Sequence, residues 1–118
     1  MLAKDAVGRY GESVALRFLE GEGMRILARN WRCRWGEIDI VAVEADTLVV
    51  CEVKTRRGSG FGSPLEAVTP RKVARLRVLA GEWVHTHPCP TSDLRIDVVG
   101  VLVPARGTPR VDHLRGVS

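Results

Sequence analysis

Apolar residues return along this chain with two different periods, and each change of period marks an element. From about Lys4 to Glu20, Val7, Tyr10, Val14, Ala15, Phe18 and Leu19 recur at helical spacing, and Gly21 and Gly23 close the run. Gly8 and Gly11 interrupt it at i, i+3, each costing about 1 kcal/mol against Ala. They mark either a frayed first turn or a helix that must come close to something. Met24 to Cys33 alternates loosely and reads as a strand, with Asn30 at a bend. Glu37–Val43 and Thr47–Lys54 alternate with period two around Glu44 and Asp46, which predicts a hairpin with a two- or four-residue loop. Arg56 to Gly62 is Gly-rich, basic and aperiodic, hence a loop. Ser63-Pro64-Leu65-Glu66 has the order of a capping box with Pro at the first helical position, predicting a short helical turn. Thr69-Pro70 repeats the start signal for a helix from Pro70 to about His85, with Val73, Leu76, Ala80, Trp83 and Val84 on one side. Pro88-Cys89-Pro90 is a break, and Leu94–Val103 is a strand apolar on both faces. Pro104 to Pro109 is a loop, and Val111–Leu114 forms a short edge strand.

Strands apolar on both sides need a layer over each face. The order therefore predicts an α/β fold: an α-β-β-β-α-β core, with a mixed central sheet flanked by helices. At 118 residues, without repeats or a dividing linker, residues 1–118 are expected to form a single domain.

The hairpin carries the chemistry. Its register places Val43 opposite Leu48, Val41 opposite Val50, Asp39 opposite Glu52 and Glu37 opposite Lys54. The other face, Ala42–Val49, Ile40–Cys51 and Ile38–Val53, is wholly apolar. Facing residues sit about 4.5–5.5 Å apart at Cβ, where like charges destabilise. Two facing carboxylates require either a shared proton or a cation between them. Mg²⁺, or Mn²⁺, suits a pair of carboxylates at a sheet end, with substrate phosphate and water completing its shell. The Val53 carbonyl is a further candidate oxygen, and Lys54 points into the same space, where it can hold water or steady charge on phosphorus. The competing reading is a cross-strand charge cluster in which Lys54 and Glu37 form an ordinary pair.

Charge widens this picture. Eighteen Lys and Arg against fourteen Asp and Glu give a net +4 and a pI near 9.4, one feature of nucleic-acid-binding chains. Arg71, Lys72, Arg75 and Arg77 crowd the first half of the second helix. There they oppose the helix dipole, so helix stability does not explain them. They are either a solvated face or a phosphate-binding one. Three cysteines, an odd number, argue against a disulfide framework and for a reducing compartment. With no signal-like apolar segment and no stretch near ~20 apolar residues, the expected location is the cytoplasm, without a membrane partner. His85, His87 and Cys89 lack a second half-site, so structural zinc is not expected. Cys51 is expected to be a buried small hydrophobe. Trp31 and Trp35, flanked by Arg29, Arg32 and Arg34, serve either packing or base stacking. Asp97, beside Arg95, is either a structural ion pair or an outer group of the site.

Gly36-Glu37-Ile38-Asp39, a gap of 12 residues, and Glu52-Val53-Lys54 resemble the catalytic signature of the PD-(D/E)XK nuclease superfamily. Within it the chain resembles the YraN-like family of bacterial proteins, which are compared with archaeal Holliday-junction resolvases. The likeness extends through Gly8-Arg-Tyr-Gly11-Glu12, Ala28-Arg29-Asn30-Trp31-Arg32, Thr55-Arg56, Phe61-Gly62, Thr69-Pro70-Arg71-Lys72 and Arg95-Ile96-Asp97-Val98. Ile38 stands where the superfamily's name calls for Pro. The resemblance implies a restriction-endonuclease-like core with Asp39 and Glu52 as metal ligands and Lys54 as catalytic lysine. It also implies that Glu12, on the first helix, joins the metal cluster, the neighbouring glycines giving that helix room to approach. On this footing the expected function is a Mg²⁺- or Mn²⁺-dependent endonuclease acting on DNA, selective for branched structures. Arg56, Arg57, Arg71, Lys72 and Arg75 would hold flanking phosphates. By analogy with resolvases, a symmetric homodimer is expected. The alternative is a non-catalytic module of the same fold that binds nucleic acid or protein.

Overall fold

A computed structural model describes residues 2–58, 68–88 and 91–117. Helix α1 (Leu2–Gly21) leads into strands β1 (Arg25–Cys33), β2 (Gly36–Glu44) and β3 (Thr47–Arg57). Helix α2 (Pro70–Thr86), β4 (Asp93–Val103) and β5 (Arg110–Leu114) follow. The sheet runs β1-β2-β3-β4-β5, antiparallel throughout except for the parallel pair β3–β4. A parallel pair needs a long crossover, which α2 provides. The expected mixed sheet with an α-β-β-β-α-β core is thus the observed one, with β5 added at the edge.

Alternation along the strands supplies two cores. Ile40, Ala42, Val49, Cys51, Val99 and Val101 pack against Ala15 and Leu19 of α1. Val41, Leu48, Val50 and Ile96 point the other way, onto Leu76, Leu79, Ala80 and Trp83 of α2. Helix α2 begins as its start signal predicts: Thr69 Oγ1 accepts a hydrogen bond from the Lys72 N–H at 3.2 Å, and Pro70 occupies the first turn. Leu79, not Val84, completes its buried stripe, and Val84 stays exposed. The helical turn expected at Ser63–Glu66 and the Pro88-Cys89-Pro90 break at Cys89 lie outside the described residues. No helix among the described residues is long and apolar enough to cross a membrane.

Two expectations are corrected. Arg56 and Arg57 belong to β3, where they pair in register with Leu102 and Val103 of the equally long β4, and Gly58 N–H donates to the Val103 carbonyl at 2.9 Å. The hairpin register holds from Glu44–Thr47 to Ile40–Cys51 and stops there, so Asp39 and Glu52, Glu37 and Lys54, and Ile38 and Val53 are not ladder pairs. Hydrogen-bonded pairs recur every second residue in an antiparallel ladder, which makes Ile38 the next partner for Val53. Instead the Val53 N–H donates to Asp39 Oδ2 at 2.8 Å. On the other edge of β2, Asn30 has φ 53° and the Asn30–Asp39 pair is skipped, although Arg29–Ile40 and Trp31–Ile38 are in register. The pleat changes phase at Asp39, and Ile38 joins the α2-side core with Val41. The sheet opens where the candidate site begins.

Away from that end, Asp97 is fully buried on β4. Arg95 Nε and Nη2 donate to its two oxygens at 2.8 and 3.0 Å, the Gly116 N–H donates to Oδ1 at 3.0 Å, and His113 Nε2 lies 2.8 Å from Oδ2. Arg95 also meets Glu44 at 2.9 Å, beside the β2–β3 turn. Burial pushes the Asp97 carboxyl up, but the hydrogen bonds from Arg95, Gly116 and His113 outweigh it and hold the group below the usual carboxylate range. Asp97 is a structural ion-pair centre that ties β4, the C-terminal segment and the turn together.

Candidate metal centre

Four elements converge where β2 and β3 part. Helix α1 reaches the site because Gly11 allows it: a Cβ there would stand 1.9 Å from Thr55 Oγ1 of β3. The next residue, Glu12, is thereby carried to the sheet end. Gly8 differs, since a Cβ at that position meets nothing within 4 Å among the described residues. Strand β2 contributes Glu37 and Asp39, β3 contributes Glu52 and Lys54, and α2 contributes Lys72 and Arg75. Together they line a cleft of about 400 Å³.

Carboxylate oxygens of Glu12, Glu37 and Asp39 all lie within 4.8 Å of one another. Asp39 registers the crowding: its carboxyl is pushed up to about 7, chiefly by burial. The Val53 N–H opposes the shift, while Glu52, Glu12 and Glu37 add to it by repulsion. Glu52 faces Lys54, Nζ to Oε2 at 3.9 Å, and Glu37 is also met by Arg32 at 3.3 Å. The ordinary pair considered for Lys54 is therefore with Glu52 and not with Glu37.

A second crowd, of opposite sign, faces the first. The Lys72 amine is held below the usual lysine range by hydrogen bonding with Lys54 and by repulsion from it. Arg75 stands one helical turn further along α2, its Nη2 donating to the Trp35 carbonyl at 3.4 Å. One cleft thus holds three crowded carboxylates beside two crowded amines, with Glu52 the acidic partner of Lys54. The donors are hard oxygens at a water-accessible sheet end, the set that Mg²⁺ or Mn²⁺ takes.

An adjoining cleft of about 500 Å³ lies along α1, lined by Val7, Gly8, Thr55 and Arg57, and shares Glu12, Val53 and Lys54 with the first. Of the residues expected at the site, Glu12, Asp39, Glu52, Val53, Lys54, Lys72 and Arg75 line one cleft. Arg57 lines the other, and Arg56 and Arg71 are exposed but line neither. Glu37 was not among the expected ligands, yet it completes the tight triad with Glu12 and Asp39. Its signal was its place two residues before Asp39, on the same side of the strand.

Cys51, Trp31 and His87 resolve into packing. Cys51 is fully buried, and its thiol is pushed well up by burial first and then by the charges of Asp97, Asp39 and Glu52. It stays a protonated hydrophobe. Trp31 meets Trp83 edge-on at 5.5 Å, and His87 stacks on Trp83 at 3.8 Å.

The family described as Uncharacterised protein family UPF0102 matches residues 11–101. A UPF0102 protein of Streptomyces coelicolor is 60% identical over 120 residues, covering 100% of this chain and 92% of its own length. One from Kineococcus radiotolerans is 61% identical over 117 residues, covering 98% and 96%. A third, from Streptomyces griseus, is 57% identical over 119 residues and covers both chains fully.

Proposed function

The chain belongs to the UPF0102 family, and on that footing we propose that its cleft is the active site of a metal-dependent nuclease of the PD-(D/E)XK type. Its substrate is DNA, with a preference for branched structures. One observation carries the reading: carboxylates of Glu12, Glu37 and Asp39 crowd within 4.8 Å, beside the paired amines of Lys54 and Lys72. A divalent cation and a phosphodiester satisfy both crowds at once.

Asp39, Glu12 and Glu37 supply the tightest oxygen set, with Glu52 and the Val53 carbonyl as further donors on the same cleft wall. A bound Mg²⁺ or Mn²⁺ supplies Lewis-acid polarisation of a phosphate oxygen and lowers the pKa of water. The Val53 N–H fixes the Asp39 carboxylate, so its free oxygen is held in place before any ligand arrives. Lys54, steadied by Glu52, donates towards the charge that develops on the phosphoryl oxygens. Lys72 and Arg75 hold the scissile strand, and Arg57 takes a phosphate in the adjoining cleft. Cutting both arms of a branch needs two such sites, which a symmetric dimer of this chain supplies.

The test is a cleavage screen over linear, flapped, single-stranded and four-way DNA with Mg²⁺ and Mn²⁺, run with wild type, Lys54→Ala and Glu52→Gln. Metal-dependent cleavage by wild type, lost in both variants, is expected. Equal cleavage by all three, or none by wild type on any substrate, would defeat the proposal; binding without cleavage would favour a non-catalytic DNA-binding module.

A further inference from the structure

We infer that the β1–β2 turn is a base-stacking wedge, in which Trp35 receives an unpaired nucleobase of DNA beside the carboxylate cleft. The inference rests on the cleft handling DNA, and stands apart from whether it cuts DNA.

Trp35 is 51% exposed, whereas Trp83 is 5% exposed and Trp31 packs edge-on against it. With β1 ending at Cys33 and β2 beginning at Gly36, Arg34 and Trp35 are the two turn residues. Tight hairpin turns favour Gly, Asn and Asp. Here Gly36, at φ 143°, takes the backbone conformation that a side chain would strain, and the turn itself carries two large side chains. An indole at such a position contributes little to a core, and an aromatic body left in water costs free energy.

The turn is also held firmly. Arg34 places its guanidinium carbon 4.7 Å from the Trp35 ring centroid, which orients the ring and makes its surroundings electropositive. The Trp35 N–H donates to Cys33 Sγ at 3.4 Å, and the Trp35 carbonyl accepts from Arg75. That same Arg75 packs so closely on Gly36 that a Cβ there would lie 3.0 Å from its Nη2. Arg75 lines the cleft, and Glu37 of the carboxylate triad is only two strand residues from Trp35, about 7 Å along the strand. The stacking surface is therefore fixed to the site by a shared arginine and by the strand itself.

Stacking needs a base whose face is free, and it tolerates any sequence. In a paired duplex the faces are occupied by neighbours; at a flap, bulge or branch they are not. Trp35 with Arg34 and Arg75 beside it thus recognises unpaired DNA by shape, through a base on the indole and phosphates on the arginines.

The experiment measures binding by fluorescence anisotropy in EDTA, with labelled flapped DNA and a fully paired duplex of equal length, for wild type, Trp35→Ala and Trp35→Phe. Loss of one stacked base corresponds to roughly a 5- to 150-fold weaker affinity. That loss is expected for Trp35→Ala on flapped DNA, with duplex affinity unchanged and Trp35→Phe retaining most of the preference. If Trp35→Ala binds flapped DNA as tightly as wild type, or weakens on both DNAs alike, the inference is overturned. Should wild type prefer flapped DNA through Trp35 yet never cleave it, the wedge stands and the nuclease reading falls. If wild type binds neither DNA, the wedge falls, and cleavage with Mg²⁺ or Mn²⁺ decides the nuclease reading on its own.

Discussion

Replacing Asp39 by Asn should stabilise the metal-free protein above neutral pH, although it removes a residue of the candidate site. Burial pushes the Asp39 carboxyl up to about 7 in the fold from its ordinary 3.8. Expressed as free energy, that displacement has a ceiling of about 4 kcal/mol. The sign follows from proton binding: between those two values the folded state holds the proton more firmly than the unfolded chain. Stability contributed by the protonated group is therefore full below about pH 4 and is lost as pH rises through about 7. Above that, the folded protein holds a carboxylate that burial and the neighbouring carboxylates Glu52, Glu12 and Glu37 disfavour. Asn is uncharged and keeps an oxygen to accept the 2.8 Å hydrogen bond from Val53 N–H. Relaxation and water in the cleft reduce the ceiling, so the expected gain at pH 8 is about 1–3 kcal/mol, shrinking towards zero near pH 4. Urea denaturation in EDTA across pH 4–8 measures it. An Asp39→Asn variant no more stable than wild type at pH 8, or a difference independent of pH, would show that the buried carboxylate carries no such penalty.

Two further outcomes follow from the same geometry. Gly11→Ala should destabilise by about 3 kcal/mol or more, because its Cβ falls 1.9 Å from Thr55 Oγ1, whereas Gly8→Ala, with nothing in reach, should gain about 0.5–1 kcal/mol of helix propensity; chemical denaturation of the two variants side by side decides this. Asp97→Asn should cost about 3 kcal/mol at neutral pH by taking the carboxylate from His113 and from Arg95, which keeps only Glu44, and should flatten the acid limb of the stability curve, since a carboxyl held low contributes stability that is present above about pH 4 and lost as pH falls through its folded value. Melting curves from pH 2 to 7 test both parts.

Local signals carried most of the architecture. The Thr69-Pro70 start placed α2 because capping is decided by adjacent residues. The hairpin register held as far as Ile40–Cys51 because a one-residue slip would turn its apolar face outward. Beyond that point it failed for a reason that alternation cannot encode: the Asp39 side chain takes the Val53 N–H, and Asn30 leaves the extended region. Glu37 consequently swings into the triad with Glu12, a partner from a different element. The length of β3 was likewise hidden, since Arg56 and Arg57 become strand only through β4, some forty residues further along. Gly8 and Gly11 look alike in sequence, and only the approach of α1 to Thr55 separates them. Trp31 and Trp35 share an arginine-rich context, but tertiary packing sets one, half-buried, against Trp83 and leaves the other exposed.

Calorimetric titration of Mn²⁺ at pH 7 reports whether this carboxylate cleft takes a divalent cation, on which the proposed function depends. With a carboxyl that titrates at about 7, wild type should bind the ion and release on the order of half a proton, seen as a heat that varies with the buffer's ionisation enthalpy. Asp39→Asn should bind far more weakly and release none. No binding by wild type, or equal binding by both proteins, would contradict the account.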